Sequence, residues 1–306
     1  MVEVKVKILG ADSFGSRSMA TSLEVGGVKI LIDPGVSYAP RRYGLPPHPV
    51  EIARLNEIKE RILGEISDAD IVIITHYHYD HYLYKPEDVE YYRGKVLLIK
   101  DPSSNINVSQ RIRAHRLLKT NKVSEIAKSI NILDSSTYIV DKDFVVVGSP
   151  PVPHGAEGSK LGYVVMVLIS CCGEKIVHAS DVQGPMSRKA LDVILSWKPS
   201  LVIISGPPTY FAGIKVEEDK VNQGLSNLRK LVESVDTVIV DHHFARDLNY
   251  PSYLEELRSI NKRVMSAAEY MGYPIELLEA RRKELWKKEK AANSDRASGE
   301  SFLEVD

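Results

Sequence analysis

Apolar and polar positions along this chain follow three rhythms. From Met1 to Ile8 they alternate, as in a strand with one buried face. Residues 71–74 (Ile-Val-Ile-Ile), 96–99 (Val-Leu-Leu-Ile) and 237–240 (Thr-Val-Ile-Val) are apolar almost throughout and read as short strands buried on both faces. Further strands are expected over 21–25, 28–33, 137–140, 144–147, 161–170, 175–178 and 201–204, with hairpin turns at Gly26-Gly27 and around Gly173. A helical period marks Ile52, Leu55, Ile58 and Ile62, and helices are also expected over 188–197 and 220–232. Ile275, Leu277, Leu278 and Leu285 suggest a last helix. Between these elements, 9–18 is a Gly- and Ser-containing loop. The segment 36–49 is a long irregular loop with four prolines, Arg41-Arg42 and His48.

Strand-heavy hairpins alternate with helices in two comparable halves, and no repeat of 20–50 residues is visible. The expected class is α/β (α+β), with two mixed β-sheets packed face to face and helices on the outer sides. Residues 1–285 are expected to form one domain, and 286–306 a charged, flexible tail.

Composition adds mostly exclusions. The chain has 306 residues, 43% of them hydrophobic and 26% charged, with a net charge of −1, so nothing drives it globally toward nucleic acid or an anionic membrane. No run reaches the roughly 18 apolar residues of a membrane helix, and the N-terminus lacks a signal peptide's apolar centre. Cys171 and Cys172 are the two cysteines, adjacent in a strand-like run. A disulfide framework is thereby disfavoured, a structural role favoured, and a cytoplasmic location expected.

Candidate chemistry is concentrated at Thr75-His76-Tyr77-His78-Tyr79-Asp80-His81, directly after the apolar run 71–74. Neutral imidazole nitrogens and a carboxylate suit zinc and neighbouring divalent metals. So many ligand types in so short a stretch are easier to aim at two adjacent ions than at one. Other expected strands also end in ligand-type residues: 144–147 leads to His154, 175–178 to Asp181, and 237–240 to Asp241-His242-His243. Sites in layered sheets gather along such an edge.

The order of cluster, His, Asp and His resembles the metallo-β-lactamase superfamily over residues from about 8 to about 250. Ile32-Asp33-Pro34-Gly35 looks like that family's first motif, His76, His78, Asp80 and His81 match the second, and His154, Asp181 and His242 fall where the next three belong. The resemblance implies a four-layer αββα sandwich and two divalent ions, zinc first, with manganese or iron as alternatives. By analogy His76, His78 and His154 hold one ion, Asp80, His81 and His242 the other, and Asp181 bridges them. Asp33 supports the site from one layer behind the ligands. The residue before Asp80 is small in the family; here it is Tyr79. Together with Tyr77, Tyr82 and Tyr84 it makes the loop aromatic, a feature read as packing first and as a substrate wall second. His242 is preferred over His243 because it stands two residues after its strand, as His76 does. Residues 10–18, 206–210 and 241–243 resemble an archaeal branch of the superfamily described as predicted hydrolases.

The expected activity is metal-dependent hydrolysis, of a phosphodiester or related phosphate ester first. RNA is a weakly supported substrate, and small-molecule substrates are the alternative. Asp80 or Asp181 orients the nucleophile. The leaving group's proton comes from His243, His178 or water, although for His178 a structural hydrogen bond is preferred. Arg17, Arg41, Arg42 and the basic stretch 111–128 support an anionic substrate, but that stretch is read first as a solvated face paired with acids elsewhere. Carboxylic ester, thioester or lactone hydrolysis is the second reading. Iron-based redox chemistry and a catalytically silent binding module are the others. Nothing in the pattern bears on oligomeric state.

Overall fold

The computed structural model describes residues 4–300, with side chains up to residue 292. A first sheet has six strands in chain order: β1 (Val4–Ile8), β2 (Thr21–Val25), β3 (Val28–Ile32), β4 (Ile71–Ile74), β5 (Val96–Ile99) and β6 (Ser129–Ile132). It begins antiparallel and is parallel from β3 onward. Next come β7 (Thr137–Asp141) and β8 (Phe144–Gly148), then β9 (Val152–Pro153) and β10 (Tyr163–Val164), which form a small pair of their own. They are followed by β11 (Val167–Cys171), β12 (Glu174–His178), β13 (Leu201–Ser205), β14 (Thr237–Asp241) and β15 (Val264–Met265). The second sheet runs β15-β14-β13-β12-β11-β8-β7 and is parallel from β12 to β15.

The continuous apolar runs are explained by burial on two faces. Ile30, Ile32, Ile71, Ile73 and Leu98 meet Val146, Val167 and Ile169 between the sheets. The intervening Leu31, Val72, Ile74, Leu97 and Ile99 face outward onto α1 (Pro49–Ser67) and the segment containing α2 (Val108–His115) and α3 (Val123–Ile126). On the far side, Val177, Val202, Ile204, Val238 and Val240 pack under α4 (Arg188–Trp197), α5 (Glu218–Ser234) and α6 (Tyr250–Ile260). The result is the αββα sandwich. Ile58, Ile62 and Ile66 are the fully covered side of α1 and contribute on the order of 2 kcal/mol each, which orients the helix. Its start is set by Pro49 in the first turn and by a capping box between His48 and Glu51.

Several elements differ from expectation. The basic stretch 111–128 spans several short elements: α2 passes into a π-helical turn, Arg116–Thr120, and α3 starts after Lys122 at φ +58°. Its cations are also not paired with distant acids. Among the described residues only Lys122 has an acid partner, Glu125 within the stretch itself, at 3.9 Å. Strand β6, helix α6 and α7 (Ala267–Tyr270) had no clear pattern. The last helix, α8 (Arg282–Glu300), begins later than Ile275, because residues 275–281 tether other parts of the chain. Glu279 grips Arg17 through two bonds of 2.6 and 2.7 Å, and Ala280 O accepts from the Tyr43 hydroxyl. The segment read as a free tail starts as this helix, with Trp286 Nε1 donating to Pro46 O and His48 Nε2 lying 2.8 Å from Glu289. Residues 301–306 of that expected tail lie outside the described part. Among the described residues no helix is long and apolar enough to cross a membrane.

Candidate metal centre

Parallel strands end on the same side of a sheet, and both sheets present their parallel parts to one edge. There β3 delivers Asp33, β4 delivers Thr75 and His76, β12 delivers Ser180 and Asp181, and β14 delivers His242. Asp33, Ser180, Gln183 and His242 all adopt left-handed backbone, φ 49° to 57°. Such conformations are costly for residues with a Cβ and persist where packing enforces them. Gly35 is needed for a different reason: a Cβ there would strike the backbone nitrogens of His81 and Tyr82. The loop after β3 is thus pressed directly onto the histidine cluster.

The structure brings every residue of the expected ligand set together. His76, His78, His154 and Asp181 each place one ligand atom within 4.8 Å of the others, and so do Asp80, His81 and His242. Asp181 stands between the groups. Its Oδ2 is 3.0 Å from His154 Nε2, 3.4 Å from His81 Nε2 and 3.7 Å from His76 Nε2, and its Oδ1 is 3.2 Å from His242 Nε2. His81 Nε2, His154 Nε2 and Asp181 Oδ1 are buried without a hydrogen-bond partner. Orphaned polar atoms converging on one point would be a large cost in a dry site, and they fit a pair of divalent cations.

Electrostatics agree with that fit. Burial, then the neighbouring imidazoles, hold His76 and His78 well below the usual histidine range, so their nitrogens keep free lone pairs. Burial also disfavours charge on His81 and His242, but there it is outweighed. Asp33 and Asp181 push His81 well above the usual range, and Asp181 and Asp12 raise His242 to about 9. Carboxylates that hold a proton on these rings make the spot favourable for a cation.

The supporting layer was only partly anticipated. Asp33 lies behind the cluster, with His81 Nδ1 at 2.8 Å and both the Thr75 amide and hydroxyl donating to it. His178 has no hydrogen bond to the expected ligands among the described residues: its Nε2 lies 3.0 Å from Met19 O, and it is not among the residues lining the cleft. The missed members are Asp12, Gln183, Tyr210 and Arg246. Asp12 Oδ2 is 2.6 Å from His242 Nδ1, and its Oδ1 accepts from Arg246 Nε at 2.6 Å. Arg246 Nη2 is almost equidistant from both nitrogens of His242, 3.3 and 3.1 Å, so it lies over the ring face and leaves the in-plane lone pair free. The usable signals were an acidic residue in the 9–18 loop and an arginine one helical turn after His242.

His243 is oriented differently from His242. Its Nδ1 faces Arg246 Nη1 at 3.2 Å and the Tyr210 hydroxyl at 3.5 Å. An arginine nitrogen has only protons to offer, so Nδ1 accepts and the ring proton sits on Nε2, 3.5 Å from Asp181 and 3.3 Å from the Gln183 side-chain amide, which then turns its oxygen toward His243 and His154. Burial and the Arg246 charge lower His243 to about 3, so the ring is neutral.

The centre opens into a cleft of about 670 Å³. His78, Asp80, His154, Asp181 and His243 form its floor, and Tyr38, Tyr79, Tyr82, Tyr84, Leu83 and Leu161 contribute to its walls. The tyrosines split between the two expected roles: Tyr77 is fully buried, whereas Tyr79 and Tyr84 pack at a ring distance of 4.2 Å while facing the cleft.

An αββα sandwich with this ordered set of histidines and aspartates at one sheet edge defines a metallo-β-lactamase-fold metallohydrolase. A family model described as the metallo-beta-lactamase superfamily matches residues 16–83. Within that superfamily the chain belongs to the UPF0282 family: a UPF0282 protein of Aeropyrum pernix is 44% identical over 295 residues, covering 94% of this chain and 99% of that relative. Solved structures share the fold at low identity. Unliganded yeast PDE1 superposes with a TM-score of 0.53 at 14% identity, over 87% of this chain and 97% of that one. The metallo-beta-lactamase fold protein YhfI from Bacillus subtilis gives 0.52 at 12% identity, over 86% and 96%.

Proposed function

We propose that the protein hydrolyses a phosphodiester or related phosphate ester at a centre of two divalent ions, zinc by preference. The observation that carries this is the convergence on one cleft of two ligand groups joined by Asp181, with orphaned atoms pointing between them. His76, His78 and His154 are assigned to one ion, Asp80, His81 and His242 to the other, and Asp181 to both. The ions would supply Lewis acidity toward phosphoryl oxygens and a hydroxide nucleophile near neutral pH. Asp80, on the cleft floor, orients the attacking water. His243, neutral and protonated at Nε2, donates a hydrogen bond to charge developing on the substrate. It cannot readily release that proton while Nδ1 accepts from Arg246, so the leaving oxygen is protonated from water.

The apolar part of the cleft wall, Leu55, Leu83 and Leu161, favours a second reading, hydrolysis of a carboxylic ester, thioester or lactone. The deciding experiment is a side-by-side assay of phosphodiester, phosphomonoester, thioester and lactone substrates, with metal content measured and zinc, manganese and iron added in turn. Turnover confined to acyl substrates would overturn the phosphodiester reading. Iron with a redox-active absorption and no hydrolysis would overturn both.

Two substitutions test the assignments. His242→Ala is expected to lose metal, whereas His243→Ala keeps two ions and loses about 10²- to 10³-fold in kcat, the range for one donor to a developing charge. The reverse pattern would exchange their roles. Asp12→Asn keeps the volume but weakens the acceptor at His242 Nδ1 and Arg246. Zinc affinity measured by chelator competition should fall about 10- to 100-fold; unchanged affinity would remove Asp12 from the centre.

A further inference from the structure

We propose that the substrate carries a second phosphate, set apart from the scissile ester, and that Arg113 binds it; this rests on the phosphodiester reading above. The cations lining the cleft divide into two kinds. Arg17, Lys59 and Arg246 are each tied to a carboxylate, at 2.6, 2.7 and 2.6 Å from Glu279, Asp88 and Asp12. Among the described residues, Arg113 and Lys85 line the same cleft with no carboxylate within 4.0 Å. Arg113 is nevertheless fixed. Its guanidinium carbon lies 4.4 Å from the centre of the Tyr79 ring, and Nη1 donates to Tyr77 O at 3.3 Å. Both anchors are neutral, so the charge is positioned without being cancelled, and most of its N–H donors remain available.

The location gives this charge a use. Tyr79 directly precedes Asp80 in the chain, so the platform under Arg113 is continuous with the metal-binding loop. Tyr38, Tyr82, Tyr84 and Leu161 surround the cleft with apolar surface, which strengthens a charge pair relative to open water. A guanidinium matches phosphate oxygens two at a time. With most of its donors free, Arg113 can meet two oxygens of a terminal phosphate, and Lys85 adds a second cation without a carboxylate partner to the same cleft. The second phosphate belongs either to a nucleic-acid strand end or to a small bisphosphorylated molecule, and the chemistry at Arg113 is the same for both.

The test compares thymidine 5′-(4-nitrophenyl phosphate) with the same compound bearing a 3′-phosphate. In the native protein the 3′-phosphate should raise kcat/KM about 10- to 100-fold, the range for one charge-assisted bidentate contact. Arg113→Gln should bring the ratio to about one, Arg113→Lys should restore part of it, and Lys119→Gln, on the same basic stretch, should keep the native ratio. Equal rates in the native protein, or a ratio that survives Arg113→Gln, would overturn the proposal while leaving the phosphodiesterase reading intact. A readout independent of turnover is calorimetric binding to the metal-loaded protein. Thymidine 3′,5′-bisphosphate should bind more tightly than thymidine 5′-phosphate, and Arg113→Gln should erase the difference; equal affinities overturn the proposal even if neither nitrophenyl ester is hydrolysed. Competition by a 5′-phosphorylated single-stranded decanucleotide as strong as that of the bisphosphate assigns the phosphate to a strand, and competition by the bisphosphate alone assigns it to a small molecule.

Discussion

Asp181→Ala is expected to reduce the metal content to one ion or none per chain and to abolish hydrolysis. One carboxylate oxygen of Asp181 lies within 3.7 Å of three histidine nitrogens assigned to the two ions, and the other oxygen lies 3.2 Å from a fourth. On the proposed assignment, removing it would take a ligand from both ions and the main negative charge from between them. The loss should therefore exceed the roughly 10- to 100-fold produced by changing a residue that only supports a ligand. Asp181→Asn keeps the shape and tests the charge alone. Metal analysis on the folded variant is the direct measurement, and two retained ions with native turnover would overturn the bridging role.

Arg282→Ala is expected to produce the largest loss of stability of any single change considered. Arg282 is fully buried and makes two bonds to Glu51, of 2.7 and 2.6 Å. It also donates to Ala39 O and Leu45 O, at 3.0 and 3.2 Å, in the loop 36–49. Truncating it leaves the Glu51 carboxylate buried and uncompensated, at a cost of about 3–5 kcal/mol. For a chain of this size that corresponds to a melting temperature lower by about 10 °C. The paired change Glu51→Leu with Arg282→Met removes both charges and should recover much of the loss, because desolvating an ion pair offsets most of its attraction. A double variant as unstable as Arg282→Ala would show that the two loop carbonyls, rather than the carboxylate, dominate. Tyr38 and Pro40 of that loop line the cleft, so the single variant should also raise KM.

Most of the centre was legible in the chain because its residues follow buried strands. An apolar run such as 71–74 announces a strand, and whatever follows a parallel strand is carried to the functional edge. The supporting layer was less legible. Asp12 reaches His242 across 230 positions, and Arg282 reaches Glu51 across 231. A side chain bound to a distant partner leaves no periodic trace. The expected final helix starts late for the same reason: Leu277 looks like a helix-face residue but enters the outer core, and Glu279 beside it is pulled onto Arg17. Strand β6 was missed because its four residues, Ser-Ile-Asn-Ile, form an edge and carry too little pattern to stand out.

The sequence by itself determined the two-sheet architecture, the succession of strand ends and the identity of the candidate ligands. These depend on local hydrophobic period and on residue type, which neighbours in the chain set together. Only the tertiary structure shows how differently the paired histidines are oriented. His242, with its ring covered by Arg246 and its Nδ1 held by Asp12, turns Nε2 inward. His243, one residue later, instead points Nδ1 at Arg246 and Tyr210 and Nε2 at Gln183 and Asp181. It alone also showed that Arg113 has no acid partner among the described residues, since charge pairing depends on which carboxylates the fold brings near, and those lie far away in the chain.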